Sequence, residues 1–217
     1  MPLVLTIAGL LFAFGFIAQG VTKGRTSAFD RKLMLALRTS ADPTVPIGPA
    51  WLPEVARDIT SLGSIVVLTM LTLAVVGYLF LAGTPVVAWL MLLAVFGGIA
   101  LNDLLKLAFA RVRPDFVPHG AQVFTLSFPS GHAALSAIAY LTIGALLARS
   151  QPSAAIGLYF MALAALLTVL VGVSRIYLGV HYPTDVLAGW CIGAAWAMAC
   201  WVIMARLQDQ IQPLSPV

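Results

Sequence analysis

The residue pair with the clearest chemical potential is a histidine followed four positions later by an aspartate, His181 and Asp185. A carboxylate at this spacing can accept the imidazole N–H, fix the ring tautomer and leave the other nitrogen free as a nucleophile. The pair lies in a polar stretch, residues 174–185, between two long apolar runs. Ionisable groups at such a place are costly unless paired or hydrated, so they are functional candidates. Taken alone, the pair is equally compatible with a helix-end histidine and a capping aspartate.

Three cations flank this pair in the sequence. Lys106 and Arg113 follow one apolar run, and Arg175 lies in the same polar stretch as the histidine. They have no comparable set of carboxylates nearby, so an anion would relieve their mutual repulsion. Phosphate can accept hydrogen bonds from one lysine ammonium group and from two arginine guanidinium groups, each of which can bind it in a bidentate manner. The cations therefore predict a phosphate site.

A second histidine begins another apolar run, in the sequence Pro-Ser-Gly-His at residues 129–132. Ser130 and the backbone N–H groups at a helix N-terminus would cradle an anion, and Gly131 would let the backbone approach it closely. His132 is placed to protonate a leaving oxygen as general acid. The pattern predicts phosphoryl transfer through a phosphohistidine. No metal or other cofactor is expected, because the sequence lacks a carboxylate cluster near these residues to hold Mg²⁺ or Mn²⁺.

The elements that carry these residues must lie in a membrane. Of 217 residues, 61% are hydrophobic and 9% are charged, whereas a soluble domain carries roughly 25% charged residues. The apolar runs are continuous rather than alternating, which excludes a transmembrane barrel. No run of Lys and Arg alternates with exposed aromatic residues, so nucleic acid is not expected as a partner.

Six apolar runs predict an all-α bundle of six transmembrane helices in a single membrane-embedded domain, residues 1–217. The predicted spans are residues 3–19, 60–81, 86–110, 129–147, 154–173 and 185–205, with a polar tail at 206–217. Counting the crossings places the ends of spans three and five and the starts of spans four and six on one membrane face. That face gathers the polar motif core, residues 102–190.

The connector between spans one and two, residues 22–58, is rich in cations and prolines. Phe29, Leu33, Leu37 and Leu35 mark an apolar stripe on a short basic helix. Such a helix is predicted to lie in the interface plane with its cations toward lipid phosphates, although an ordinary solvated connector is the alternative. The prolines then predict an irregular loop.

Four neighbours of the motifs are secondary candidates. Arg111 is expected either to contact the substrate headgroup or to face lipid or solvent. Asp103 and Asn102, one helical turn before Lys106, are expected to pair with the lysine or orient it, or else to mark the wetted end of the span. Ser174 is expected to bind phosphate or to have a helix-end role.

Three motifs in this order resemble the type 2 phosphatidic acid phosphatase family. They are Lys106-x6-Arg113-Pro114, Pro129-Ser130-Gly131-His132 and Ser174-Arg175-x5-His181-x3-Asp185. The resemblance covers about half of the chain. It implies a six-helix bundle that hydrolyses lipid phosphomonoesters or diphosphates without a metal. Soluble vanadate-dependent peroxidases share similar motifs, but the apolar spans disfavour them.

The resemblance also assigns roles to individual residues. It implies that His181 is the nucleophile, Asp185 its partner and His132 the acid. The implied phosphate ligands are Lys106, Arg113, Ser130, Gly131 and Arg175.

Three functions fit these observations. The first is a lipid phosphatase of the phosphatidic acid or phosphatidylglycerophosphate type, with the membrane lipid as its partner. The second is an undecaprenyl (polyprenyl) diphosphate phosphatase that uses the same chemistry. The third is an anion-binding or transport protein without turnover, which would leave the two histidines unexplained. The motifs do not specify the headgroup, the lipid tail or the oligomeric state.

Two arguments on membrane orientation conflict. Ten of the 12 Lys and Arg residues lie on the side of the motifs, so the positive-inside rule predicts a cytoplasmic site. Bacterial members of the family that the chain resembles usually act in the periplasm, and three of the ten cations are themselves predicted site residues. We therefore expect a bacterial inner-membrane protein whose active site faces the periplasm.

Overall fold

Eight α-helices account for the regular structure of residues 1–211, the part of the chain that the computed structural model describes. They are α1 (Pro2–Thr22), α2 (Ser27–Ala36), α3 (Leu52–Ser61), α4 (Ile65–Leu81), α5 (Pro85–Phe109), α6 (Gly131–Arg149), α7 (Ala154–Tyr177) and α8 (Pro183–Ile211). The all-α prediction is confirmed. Residues 206–211 of the predicted polar tail belong to α8, and residues 212–217 lie outside the described range.

Within the described range, five helices are long and apolar enough to cross a membrane: α1, α5, α6, α7 and α8. α3 and α4 form a sixth candidate as one span bent by 44°. The chain is thus a multi-pass membrane protein. The count of six spans remains a prediction, because α4 alone has 17 residues.

The connector departs from the prediction at its C-terminal end. Residues 52–61 form α3, where an irregular loop was predicted, and helix α4 begins at Ile65, whereas the second span was predicted to begin at residue 60. Pro53 lies in the first turn of α3, where its missing N–H breaks no helical hydrogen bond. Ser64 then caps α4 by accepting a hydrogen bond from the backbone N–H of Val67 at 3.3 Å.

Helix α2 presents two different faces. Asp30 and Met34 are fully buried, whereas Phe29 and Leu33 are 50% and 40% exposed. Met34 packs in a cluster with Val117, Ala133, Ile176 and Val186. Of the predicted apolar stripe, Phe29 and Leu33 therefore face outward, whereas Leu35 and Leu37 are partly buried and pack against this cluster. Its location in the membrane interface remains a proposal.

The turn before α8 is shorter than predicted. α7 continues to Tyr177, so Arg175 lies in its last turn, and α8 begins at Pro183 rather than residue 185. Gly179 has φ of 74° in this turn. A Cβ there would lie 2.8 Å from both Arg38 Nη2 and the Pro118 carbonyl oxygen, so the turn requires glycine on two grounds.

Helix α6 is the central element and packs against α7 and α8. Small residues permit close approach: a Cβ at Gly193 of α8 would lie 3.0 Å from the Ala134 Cα and the Ala137 Cβ. At the catalytic end, the Ser130 N–H donates to the Asp185 carbonyl at 3.0 Å. This packing fixes the first turns of α6 and α8 against each other.

Candidate active site

The ends of α5, α6 and α7 and the turn before α8 surround a cavity of about 250 Å³. Eight residues lining it carry or flank the predicted chemistry: Asn102, Asp103, Lys106, Arg113, Gly131, His132, Arg175 and His181. A larger cavity of about 530 Å³ lies among α4, α5 and α6 beside the Arg149 turn, but its lining is mostly apolar. The polar cavity is therefore the candidate active site.

The position of His181 fixes its tautomer. Its Nδ1 lies 3.4 Å from Asp185 Oδ2, and its Nε2 lies 3.1 Å from Nη1 of Arg113. A guanidinium group can only donate, so Nε2 must carry the lone pair and Nδ1 the proton. The ring thus directs its unprotonated nitrogen toward Arg113, as a nucleophile would.

Three groups besides the histidine fix the Asp185 carboxylate. Ser127 Oγ donates to Oδ2 at 2.5 Å, the Tyr182 N–H donates to Oδ2 at 3.0 Å, and Arg111 Nη1 donates to Oδ1 at 2.6 Å. Sequence reasoning missed Ser127. The only signal in the sequence was a hydroxyl two residues before Pro129, and nothing distinguished it from an ordinary loop serine.

Arg111 has partners within the protein that the sequence did not indicate. Its side chain is only 14% exposed and lies between Asp185 and Asp30, with its guanidinium 3.9 Å from the centre of the Tyr182 ring. It is not among the residues that line the cavity. Asp30 was also missed, because a single carboxylate in a basic helix resembles a solvated charge.

The three predicted phosphate-binding cations are held by neutral groups. Lys106 Nζ donates to Thr125 Oγ1 at 2.7 Å, and Arg113 donates to the Thr125 and Val180 carbonyls at 2.7 and 2.6 Å. Arg175 donates to Thr60 Oγ1 at 3.2 Å. In the part of the chain whose side chains are described, none of the three forms a salt bridge. Their positive charge is left for a ligand.

Buried polar atoms at the site also lack partners. Ser130 Oγ, Arg175 Nε and Asn102 Oδ1 are buried without a hydrogen bond to any described residue. An unsatisfied buried donor costs roughly 1–3 kcal/mol. The serine hydroxyl and the Arg175 N–H can each donate a hydrogen bond to a phosphate oxygen.

The remaining secondary candidates are Asn102, Asp103 and Ser174, and the first two line the cavity together with Lys106. Asn102 and Asp103 make no hydrogen bond to Lys106 among the described contacts; Asn102 Nδ2 instead lies 3.1 Å from where a Gly131 Cβ would stand. Asp103 is an exposed carboxylate of the cavity lining. Ser174 donates to the Val171 carbonyl of its own helix at 2.7 Å, in accord with the helix-end alternative.

Burial and charge both act on the turn residue His181. Burial first, and then the cations Arg113, Arg175 and Lys106, lower the pKa of this imidazole well below 6.5. The lowered pKa keeps the ring neutral, the form that can attack phosphorus.

Comparison with known proteins identifies the family. The family model of the PAP2 superfamily matches residues 87–209. The chain belongs to the PAP2 superfamily. It is 40% identical over 155 residues to phosphatidylglycerophosphatase B of Bacillus subtilis, covering 69% of this chain and 73% of that protein. It is 33% identical over 128 residues to a lipid A 1-phosphatase of Rhizobium johnstonii, covering 55% of this chain and 48% of that protein.

Solved structures agree with this assignment. The crystal structure of a transmembrane PAP2 type phosphatidylglycerolphosphate phosphatase from Bacillus subtilis superposes with a TM-score of 0.80 at 30% identity, over 97% of this chain and 99% of that one. That of Aquifex aeolicus LpxE gives a TM-score of 0.59 at 26% identity, over 81% and 93% of the two chains. This PAP2 protein is a membrane lipid phosphatase.

The lowered pKa of His181 predicts its protonation state. In the folded protein its imidazole should stay neutral through the pH range in which an unperturbed histidine, with a pKa of about 6.5, takes up its proton. NMR of ¹⁵N-histidine-labelled protein in micelles measures this, with the signal assigned by its absence from His181→Asn. A midpoint near the unperturbed value would contradict the geometry.

Proposed function

We propose that this PAP2 enzyme hydrolyses the phosphomonoester of a glycerophospholipid, of the phosphatidylglycerophosphate or phosphatidic acid type, through a phosphohistidine on His181. The observation that carries the proposal is that an unprotonated Nε2 faces Arg113, in a cavity shared with Lys106 and Arg175. Cations without carboxylate partners stabilise charge on the equatorial oxygens of a transferring phosphoryl group.

The first step forms a bond between His181 Nε2 and phosphorus and breaks the bond from phosphorus to the lipid oxygen. His132, in the first turn of α6 and in the same cavity lining, donates a proton to the leaving oxygen. Asp185 stabilises the positive charge that develops on the imidazole, since its Oδ2 faces Nδ1.

The second step transfers the phosphoryl group to water. The neutral His132 takes a proton from the attacking water, the nitrogen–phosphorus bond breaks, and inorganic phosphate leaves. The cycle therefore restores both histidines without a metal.

The mechanism predicts the phenotype of His181→Ala. Phosphate release from phosphatidylglycerophosphate in mixed micelles with excess EDTA should fall by about 10³-fold or more, because the nucleophile is absent. The control is His119→Ala, an exposed histidine bonded to the Pro114 carbonyl, which should keep wild-type activity. Unchanged release from His181→Ala would refute the mechanism. Wild-type activity lost in EDTA and restored by Mg²⁺ would refute metal independence.

Two observations favour a phosphomonoester over a diphosphate. The Bacillus subtilis relative, which is 40% identical and matched over 73% of its length, is named a phosphatidylglycerophosphatase. The undecaprenyl-diphosphatase of Sulfolobus acidocaldarius is only 30% identical and is matched over 52% of its length. In addition, the Asp103 carboxylate and the Gln122 amide line the cavity. They can hydrogen-bond a glycerol hydroxyl, while the carboxylate would repel a second phosphate placed next to the first.

The position of Asp103 predicts that its substitution changes the preference between phosphomonoester and diphosphate substrates. Asp103→Asn should raise kcat/KM for polyprenyl diphosphate relative to phosphatidylglycerophosphate by about 3- to 10-fold, because one exposed charge at close range contributes about 1 kcal/mol. The panel also includes phosphatidic acid and lipid A. Asp115→Asn, an exposed carboxylate outside the cavity lining, serves as the control. An unchanged ratio, or a wild-type preference for diphosphate, would contradict the substrate proposal.

We further propose that the enzyme lies in the bacterial inner membrane with its cavity facing the periplasm. Several cations behind the opposing positive-inside argument have partners within the fold. Arg38 is buried and donates to the Tyr177 carbonyl at 3.1 Å, Arg57 donates to the Gly120 carbonyl at 3.1 Å, and Arg111 is held between two aspartates. These three cations therefore have a structural role that is the same whichever side of the membrane the cavity faces.

Cysteine labelling tests this orientation. In a variant without Cys191 and Cys200, His119→Cys in the exposed loop should react with an impermeant thiol reagent once the outer membrane is permeable and the inner membrane is sealed. Ser150→Cys, exposed at the opposite turn, should react only after the inner membrane is opened. The reverse pattern would place the site in the cytoplasm.

A further inference from the structure

The connector between the first two membrane helices contributes one fully buried carboxylate, Asp30 of α2. Its Oδ1 accepts the backbone N–H of Thr184 at 3.0 Å, and its Oδ2 accepts the Thr184 hydroxyl at 2.7 Å. The same Oδ2 accepts Nη2 of Arg111 at 2.8 Å. All three donors belong to segments far away in sequence, so the contact joins the connector to α8 and to the loop after α5.

Arg111 extends this contact to the proposed catalytic pair. Its other terminal nitrogen donates to Asp185 Oδ1 at 2.6 Å and to the Thr184 hydroxyl at 2.9 Å. Asp185 in turn faces His181 Nδ1 through its second oxygen. A continuous chain of polar contacts thus runs from Asp30 through Arg111 and Asp185 to His181.

The charges in this chain indicate why two carboxylates are present. If Arg111 bonded Asp185 alone, its whole positive charge would act on that one carboxylate. The attraction of Asp185 for an imidazolium at His181 would then be weaker. Asp30 takes up part of that charge. It also fixes the plane of the guanidinium, because the planar fork of an arginine is held when both of its terminal nitrogens are bonded.

Asp30 also acts on the start of α8. The Thr184 N–H is a free donor of the first helical turn, and a carboxylate there satisfies it and interacts favourably with the helix dipole. Asp185 follows directly, so the same contact sets where the catalytic carboxylate stands.

We propose that Asp30 is a positioning residue for catalysis, acting through Arg111 and Thr184 on Asp185, and that the connector between spans one and two thereby completes the active site. The inference rests on the proposed function, since it takes His181 as the nucleophile. Asp30 does not line the cavity, so it should affect turnover rather than phosphate binding.

The test is Asp30→Asn, which removes the charge and keeps the shape. We expect kcat to fall about 10- to 100-fold, as for other groups that orient a catalytic side chain. The inhibition constant of vanadate, which reports on the phosphate ligands, should change less than about 3-fold. The control is Asp58→Asn, an exposed carboxylate of the same connector, which should retain kcat. Activities are expressed per folded enzyme, so a merely structural aspartate would lower thermal stability and leave kcat unchanged.

A double-mutant cycle tests the route through Arg111. In an Arg111→Gln background the effect of Asp30→Asn on kcat should shrink to less than about 2-fold, because the intermediate contact is already lost. An equal effect in both backgrounds would overturn the proposal. If Asp30→Asn does not fold, Thr184→Val is used instead. It removes one hydroxyl from the series of polar contacts while keeping the side-chain volume. It should lower kcat about 3- to 10-fold, and wild-type kcat in that variant would overturn the proposal.

Failure of the inference is distinguishable from failure of the mechanism. His181→Ala is assayed beside these variants. An inactive His181→Ala with Asp30→Asn within about 2-fold of wild type would overturn the role of Asp30 alone. An active His181→Ala would overturn the mechanism and this inference with it.

Discussion

The carboxylate of Asp185 is the interaction on which the catalytic end of the molecule depends. Its two oxygens receive hydrogen bonds from the loop before α6, from the turn before α8 and from Arg111 after α5. Both ends of the α5–α6 loop and the turn before α8 therefore converge on one buried anion. A buried carboxylate is stable only when its lone pairs are satisfied, so the same contacts that stabilise the charge also fix the distance to His181.

A second constraint is that the three cations must remain close together although they repel one another. The fold meets it with backbone carbonyls and threonine hydroxyls, which hold the side chains without cancelling their charge. Had carboxylates held them, the anion would have to compete for each cation. Neutral partners thus preserve affinity for phosphate and place the charge before substrate arrives, which is the arrangement that stabilises a phosphoryl transition state best.

The sequence predicted the helical class and the long apolar helices, because each apolar run is continuous. It also singled out eight of the residues that line the cavity, because each motif is local. The sequence did not predict α3. Pro53 was taken to interrupt a helix, whereas it lies in the first turn of one. Nor did it predict Ser127 or Asp30. Their partners lie 58 and 81 residues away along the chain, and no sequence periodicity indicates a contact that only tertiary packing creates. Arg111 was singled out by its position near the motifs, but its partners could not be inferred for the same reason.

The buried contacts of Arg111 and Arg38 also change how the charge distribution should be interpreted. The positive-inside rule concerns cations that flank membrane spans and can interact with the lipid surface. Arg38 is buried and bonded to the Tyr177 carbonyl, and Arg111 is bonded to two aspartates; neither is available for that role. The excess of cations on the catalytic face therefore follows in part from building an anion site there, and its sign alone carries little information on which compartment that face meets.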